Sequence, residues 1–391
     1  MIPEIRKRYN SEFSENKYQV FLKDIWSHTN KQMDFRICET PLFLDEKLSG
    51  EIQKAANELA DYLLTDEFKK KSTGAVPDMY TVPNEDEHPL FLQIDLAITK
   101  DENGNYAPRL IELQGFPSLY AFQVELDETV RRHFNIPIEM SSYFNTLDKE
   151  KYLALFKKVV IADHDPENVI LLEIEPHDQK TRIDFYLTQK YLGIEPVCIS
   201  DIRKQGRSLF YKKDSREIKI ERIYNRVIFD ELERKTIESS FDLRDNLDIE
   251  WAGHPNWFFR ISKYTLPQFN SIYAPKCYYL NQLNELPDDL SHFVLKPLYS
   301  FAGSGVKVEI TKKEIEEISD KDNYILQQKV EYAPLIETPD GYSKAEIRMM
   351  FIWEDNPILV NNLLRTSKGK MMGVDYNKNK TWVGSNIVFH P

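Results

Sequence analysis

Asp95 and Glu112 sit on two runs that alternate apolar and polar residues, one starting at Phe91 and the other ending at Gln114. Alternation puts Leu92, Ile94, Leu96 and Ile98 on one strand face and Gln93, Asp95, Ala97 and Thr99 on the other. Between the runs lies Asn103-Gly104, the strongest short hairpin signal. With those two residues at the turn centre, Ile94 faces Leu113, Leu96 faces Ile111, Asp95 faces Glu112 and Gln93 faces Gln114. Carboxylates directly across a ladder repel each other. Such a pair is tolerated if one carboxylate is protonated, if a Lys or Arg sits between them, or if a cation does. Oxygen donors of this kind suit Mg2+, which takes one or two carboxylates and fills its shell with phosphate and water. Gln114 adds another oxygen to that face. A solvated acidic surface is the alternative reading. Pro108 marks an edge position or a bulge in the second run.

Basic groups gather elsewhere. The stretch 293–310 reads as strand, small-residue loop, strand, with Lys296 at the rim and Ser300, Ala302, Gly303, Ser304 and Gly305 in the loop. Such a loop can lay backbone N–H groups against phosphate oxygens. Val306, Val308 and Ile310 then alternate, so the loop leads into a strand and not into the helix of a Walker-type motif. An ordinary hairpin with a glycine-rich turn would read the same way. A second hairpin spans 346–365. With 354–357 as its loop, Glu346 faces Arg365, Arg348 and Asn361 share a side, and Phe351 pairs with Val360. This reads either as a surface salt bridge or as two guanidinium groups aimed at an anion.

Composition limits what these residues serve. The chain has 391 residues, 29% of them charged and 12% aromatic, which suits a globular protein of two or three domains. Its net charge of -12 argues against a general nucleic-acid surface but not against a local nucleotide site. Cys38, Cys198 and Cys277 are too far apart for a disulfide framework or a zinc site. No apolar run reaches membrane-spanning length. The reading is cytoplasmic, with no membrane and no nucleic-acid partner and with oligomeric state open.

The elements that must hold these residues form an α/β (α+β) pattern. Residues 46–70 have helical apolar spacing, and 72–89 read as a proline-rich loop. Val169–Ile174 and Pro196–Ile199 read as strands, joined by a helix over 179–192 that stops at Gly193. That unit predicts a parallel sheet, with a further strand over 223–229. Hairpins flank this middle region on both sides. Glu173, Glu175, His177 and Asp178 crowd a strand end where open α/β sheets bind ligands. Tyr224, Asn225 and Arg226 are candidates to line a carboxylate pocket. His88 and His254 read as loop residues, and Trp251, Trp257, Phe258 and Phe259 as core.

Taken together, the segments resemble the ATP-grasp superfamily, whose members mostly join a carboxylate to an amine or thiol through an acyl-phosphate. The flap, the hinge, Glu346-x-Arg348 and Arg365 lie at the C-terminus, while the helix, Asp95 and Glu112-x-Gln114 lie at the N-terminus. That order resembles the circularly permuted branch that includes eukaryotic-type glutathione synthetases and glutathionylspermidine synthase-like ligases. The resemblance implies an N-terminal segment (1–150) completing the ATP-grasp core and a Rossmann-like pre-ATP-grasp domain (151–262). A small subdomain with flap and hinge (263–335) and core strands with the arginines (336–391) would follow. It implies ATP and Mg2+ as cofactors, and a small carboxylate and an amine as substrates. Lys263, Lys296 and the loop residues Ser300, Ala302, Gly303, Ser304 and Gly305 would meet the phosphates. Gln327, Gln328, Lys329 and Val330 would present backbone to adenine. Asp95, Glu112 and Gln114 would hold Mg2+, and Arg348 and Arg365 would be catalytic. Asn377 or Asn379 would touch the same region. Gln114 stands where the family usually has Asn, and Glu346 where Asp is common. Rival readings are a small-molecule kinase on the same scaffold and a non-catalytic ATP-binding module. A nicotinamide oxidoreductase lacks its Gly-x-Gly-x-x-Gly after the 169–174 strand.

Overall fold

The first 45 residues form helices α1 (Pro3–Glu12) and α2 (Glu15–Trp26) and strand β1 (Leu42–Phe43). The computed structural model describes the chain except for residues 30–31 and 301–303 and the side chains of residues 374–375. The helical spacing over 46–70 yields two helices, α3 (Glu46–Tyr62) and α4 (Asp66–Ser72). Each has its own side-chain cap, Asp45 on the Leu48 amide and Thr65 on the Phe68 amide, and the second cap breaks the run. The apolar face of α3 packs on Leu92, Ile94, Leu96 and Ile98 of β2 (Phe91–Lys100), so the polar alternates of that strand face the other way.

β2 pairs with β3 (Tyr106–Gln114). Gln93 lies opposite Gln114, Ile94 opposite Leu113 and Asp95 opposite Glu112, as alternation predicts. Beyond Asp95 the register slips, and Leu96 pairs with Leu110 rather than Ile111. The turn is wider than a two-residue Asn-Gly turn: Asp101 accepts from the amides of Asn103 and Asn105. A bulge at Ile111 absorbs the difference.

The chain continues through α5 (Tyr120–His133), α6 (Lys149–Ile161), β4 (Val169–Glu173), α7 (Arg182–Leu192) and β5 (Glu195–Cys198). Gly193 ends α7 at φ +79°. A small antiparallel sheet follows, β6 (Arg203–Gln205), β7 (Ser208–Lys213) and β8 (Arg216–Ile220). Next come β9 (Arg222–Asn225), α8 (Phe229–Lys235) and β10 (Glu250–Ala252). β10, β9, β4 and β5 form a parallel sheet in that order. β4 is buried along its whole length, which is why it reads as an unbroken apolar run. The strand expected over 223–229 stops at Asn225, whose side chain bonds both the amide and the carbonyl of Val227 and turns the chain.

After α9 (Trp257–Arg260), strands β11 (Cys277–Tyr279) and β12 (Phe293–Pro297), helix α10 (Lys312–Glu316) and strand β13 (Tyr324–Gln328) form a small unit. Its antiparallel sheet has the order β11-β13-β12. The strand expected at 306–310 is reduced to one bridge, Leu295 with Lys307. Ile310 turns instead into a core with Leu280, Leu295, Ile315 and Leu326.

The tail supplies β14 (Pro334–Thr338), β15 (Gly341–Trp353), β16 (Pro357–Ser367), β17 (Gly384–Asn386) and β18 (Val388–Phe389). Glu346 faces Arg365 as predicted, but Phe351 pairs with Leu359, because a bulge at Val360 shifts the register. The two terminal hairpins join in one six-stranded antiparallel sheet, with order β17-β16-β15-β2-β3 and β14 also on β15. β1 and β18 pair in parallel, so head and tail meet a second time.

Candidate functional site

Pairing β2 with β15 sets Arg348 directly opposite Asp95. With Asp95 opposite Glu112, one row crosses three strands: Glu112, Asp95, Arg348. Asp95 is 1% exposed and grips Arg348 through two bonds, Nε at 2.6 Å and Nη2 at 2.8 Å. Arg348 Nη1 also donates to Gln93 at 3.1 Å. Arg365, one row along, pairs with Asp95 and Glu346 together. Tyr332 donates its hydroxyl to the other Glu346 oxygen. Burial would raise the Asp95 carboxyl, but the charges of Arg348 and Arg365 outweigh it and hold it below the ordinary value. Burial, aided by the Asp95 charge, pushes Glu346 up against the pull of Arg365.

The small sheet closes over this row. Antiparallel pairing puts Cys277, Tyr279, Val294, Lys296, Ile325 and Gln327 on one face, towards the Ile111 bulge. Lys296 Nζ donates to the Ile111 carbonyl at 3.2 Å and Gln327 Nε2 to the same oxygen at 3.4 Å. The bulge thus turns a backbone oxygen out of the ladder and towards Lys296 and Gln327. Lys263 donates to the Ser300 carbonyl at 2.7 Å. Burial lowers both lysines below their ordinary value, and the Glu112 charge opposes this for each.

The remaining residues fall as follows. Ala302 and Gly303 lie outside the described residues. Ser304 and Gly305 are exposed. Gly305 has φ +72°, and a Cβ there would lie 2.7 Å from Pro297 Cγ. Gln328 and Lys329 spend their amides on the carbonyls of Lys276 and His292. Val330 is half-buried. Gln114 Nε2 donates to Gln93 and to the Phe116 carbonyl. Asn377 is buried and organises the turn after β16, accepting from Ser367 and from the amides of Lys368 and Gly369. His254 braces the Pro83 carbonyl and the Asn256 amide, and His88 stacks on Trp353. Tyr332 escaped the sequence reading. It lies in the irregular link between β13 and β14, where no periodicity fixes a side chain's direction.

Beyond Gln114, the Gly115–Ser118 turn leads to the parallel sheet. Phe116 lies under the Arg226 guanidinium, 4.7 Å from ring centroid to Cζ, with Phe185 at 5.6 Å. Arg226 is 6% exposed, yet its Nε and Nη1 have no hydrogen-bond partner among the described residues. Beside it, burial raises the Glu173 carboxyl to about 8 against the Arg226 charge.

Among the described residues no three His, Cys, Asp or Glu side chains are gathered as metal ligands. Both Asp95 oxygens face guanidinium groups, which suits an ion-pair role better than a magnesium ligand. Glu112 and the Gln114 amide oxygen remain as donors. One carboxylate and one amide fit a magnesium ion that arrives already bound to phosphate.

No family model matches the chain, and no curated protein sequence does. Among solved structures, a glutathione synthetase-like effector from Globodera pallida, in its apo form, matches with a TM-score of 0.55 and 12% identity. The match covers 96% of this chain and 98% of that one. The fold is therefore glutathione synthetase-like, mixed α and β over the full length. Among the described residues no helix is long and apolar enough to cross a membrane.

Proposed function

We propose that the chain is an ATP- and Mg2+-dependent ligase that joins a small carboxylate to an amine or thiol through an acyl-phosphate. In this reading it is a circularly permuted ATP-grasp protein. Residues 1–150 and 336–391 build the core, 151–262 a Rossmann-like substrate domain, and 263–335 the lid. One observation carries the proposal. Lys263, Lys296, Arg348 and Arg365 converge around Asp95, Glu112 and Glu346 from opposite ends of the chain. Phosphoryl transfer asks a protein mainly for positioned charge, and this cluster holds it.

Lys296 and Lys263 now satisfy themselves on the carbonyls of Ile111 and Ser300. Phosphate oxygens would take the place of those neutral acceptors and restore the charge that burial opposes. Arg348 and Arg365 would steady the phosphoryl group and the acyl-phosphate. Glu112 and Gln114 would hold magnesium, which supplies charge neutralisation on the phosphates. The unpartnered Arg226 would bind the acid substrate's carboxylate, with Tyr224 and Asn225 lining the same pocket. The double guanidinium grip on Asp95 favours a second reading, a nucleotide-binding module without turnover.

A thermal-shift panel tests binding. ATP with Mg2+ should raise the melting temperature and NAD should not, since a ligand at a hundred times its Kd stabilises by about 2.7 kcal/mol. Phosphate release dependent on both an acid and an amine then separates ligase from binder. Phosphorylated acid without free phosphate would identify a kinase. No response to any nucleotide would end the proposal.

A further inference from the structure

We propose that Gln123 and Asn361 select the acid substrate by pairing with a primary carboxamide on it. This rests on the ligase reading above and adds the class of acid. Gln123 is 0% exposed, and both ends of its amide, Oε1 and Nε2, have no hydrogen-bond partner among the described residues. Asn361 is as deeply buried. Its Oδ1 accepts from the Asn362 amide at 2.6 Å, so its other end is the NH2, and that Nδ2 also has no partner among the described residues.

The fold sets both beside the charged row. On the central sheet the row next to Glu112, Asp95 and Arg348 runs Gln114, Gln93, Met350, Asn361. Helix α5 crosses it. The Tyr120 hydroxyl donates to the Leu92 and Phe351 carbonyls, and two turns on Asp127 accepts from Ser142, whose carbonyl takes the Asn362 amide of β16. Gln123 lies three residues after Tyr120 and four before Asp127, so it shares their stripe. Glu125 leaves the helix on the opposite flank and meets Lys190 and Tyr191 of α7. Phe91 packs on Tyr224, which puts the parallel sheet at the Phe91 end of β2. Gln123 therefore faces the other way, towards the Asp95 end.

A buried polar group without a partner costs free energy until one arrives. The partner here must accept and donate at once. It must also be neutral, because Arg348 and Arg365 are already held by Asp95 and Glu346, and a charged group would enter without a counter-ion. A primary carboxamide carries its carbonyl and one N–H on the same side. It can meet the Gln123 amide head to head with two bonds and leave a carbonyl lone pair for Asn361 Nδ2. A trans peptide carries the two groups on opposite sides and can make only one of those bonds.

The test measures phosphate release by the full chain with ATP, Mg2+ and hydroxylamine as the amine. The acids are succinamic, N-methylsuccinamic, levulinic and succinic acid, and the same set one methylene longer. In at least one set, wild type should show kcat/KM for the primary carboxamide about tenfold or more above the other three, since a site built to bond one group rejects analogues lacking it. Gln123→Met, similar in length but without donor or acceptor, should bring the carboxamide and the ketone within about threefold. It should also melt above wild type, which a residue that merely holds the fold would not do. The wild-type panel decides even if Gln123→Met fails to fold. No carboxamide preference in either set, or no turnover of any acid, would overturn the assignment, as would a Gln123→Met protein that melts below wild type or keeps the preference. In each of these cases ATP with Mg2+ still raises the melting temperature, and only the choice of acid falls. Absence of that ATP response would overturn the ligase reading along with it.

Discussion

Two regions bury charge in opposite ways. On the central sheet, Asp95 is matched twice, by Arg348 and Arg365, and Glu346 is matched by Arg365 and Tyr332. At the ends of the parallel strands, Arg226 is as deeply buried but leaves Nε and Nη1 without partners. Glu173 nearby accepts from the Ile174 amide at 2.8 Å. The matched row holds head and tail together, because its members come from β2, β15 and β16. The open pocket has hydrogen-bonding capacity left over. Buried charge held in ion pairs serves the fold, even though Arg365 Nε and Glu346 Oε1 have no hydrogen-bond partner among the described residues, and buried charge outside any ion pair is the place to look for a ligand.

The largest expected effect breaks the matched row. Arg348→Ala strands Asp95 without its bidentate partner, and removing one member of a buried pair costs about 3–5 kcal/mol. Denaturant unfolding at pH 7 should show that loss. Arg348→Ala paired with Asp95→Ala should cost less than the sum of the singles. Strict additivity would mean that the seam is not a pair in solution.

The next effect probes the open pocket through pH. Glu173 titrates at about 8 in the fold, above its ordinary value of 4.5. Between those values the folded chain holds one more proton than the unfolded chain, so stability falls as pH rises through that window. Glu173→Gln should flatten this slope and gain on the order of a few kcal/mol at pH 8 and above relative to wild type. An unchanged slope across pH 5 to about 9 would show that Glu173 is paired after all.

A smaller change sharpens the row itself. Tyr332→Phe removes the hydroxyl that bonds Glu346 and leaves a buried carboxylate one donor short, for about 1–2 kcal/mol. The cost should shrink in a Glu346→Gln background, where the acceptor is neutral. A cost that is the same in both backgrounds would detach Tyr332 from the row.

Much of the row could be read in the sequence, and the reason is local. Strand alternation has a period of two, so facing Asp95 and Glu112, or Glu346 and Arg365, needs only a turn and a count. The count fails just past Asp95 in the first hairpin and just past Met350 in the second, at the Ile111 and Val360 bulges, because a bulge depends on turn width and edge packing that a repeat does not encode. The Ile111 carbonyl, which collects Lys296 and Gln327, is a product of that irregularity. The pairing of β2 with β15 lies outside any local pattern, since nothing in either hairpin names its neighbour across 253 residues. At 306–310 alternation predicts a strand that the fold reduces to one bridge. Alternating Val306, Val308 and Ile310 satisfies the period, but Ile310 gains more from the core under α10 than from a ladder.

The smallest stability effect is the one most able to break the contrast. Arg226 stacks between Phe116 and Phe185, its charge felt by the Glu173 and Asp184 carboxyls but its Nε and Nη1 without hydrogen-bond partners among the described residues. Methionine keeps most of the apolar contact, and removing a desolvated charge offsets the lost stacking. Arg226→Met should therefore unfold within about 1 kcal/mol of wild type, or be slightly more stable. If the pocket is open because a carboxylate belongs there, the same variant should lose acid-dependent phosphate release while ATP still raises its melting temperature. A stability loss above about 3 kcal/mol would place Arg226 among the structural pairs, alongside Arg348. Unimpaired acid dependence with normal stability would leave the pocket without the ligand role its empty bonds suggest.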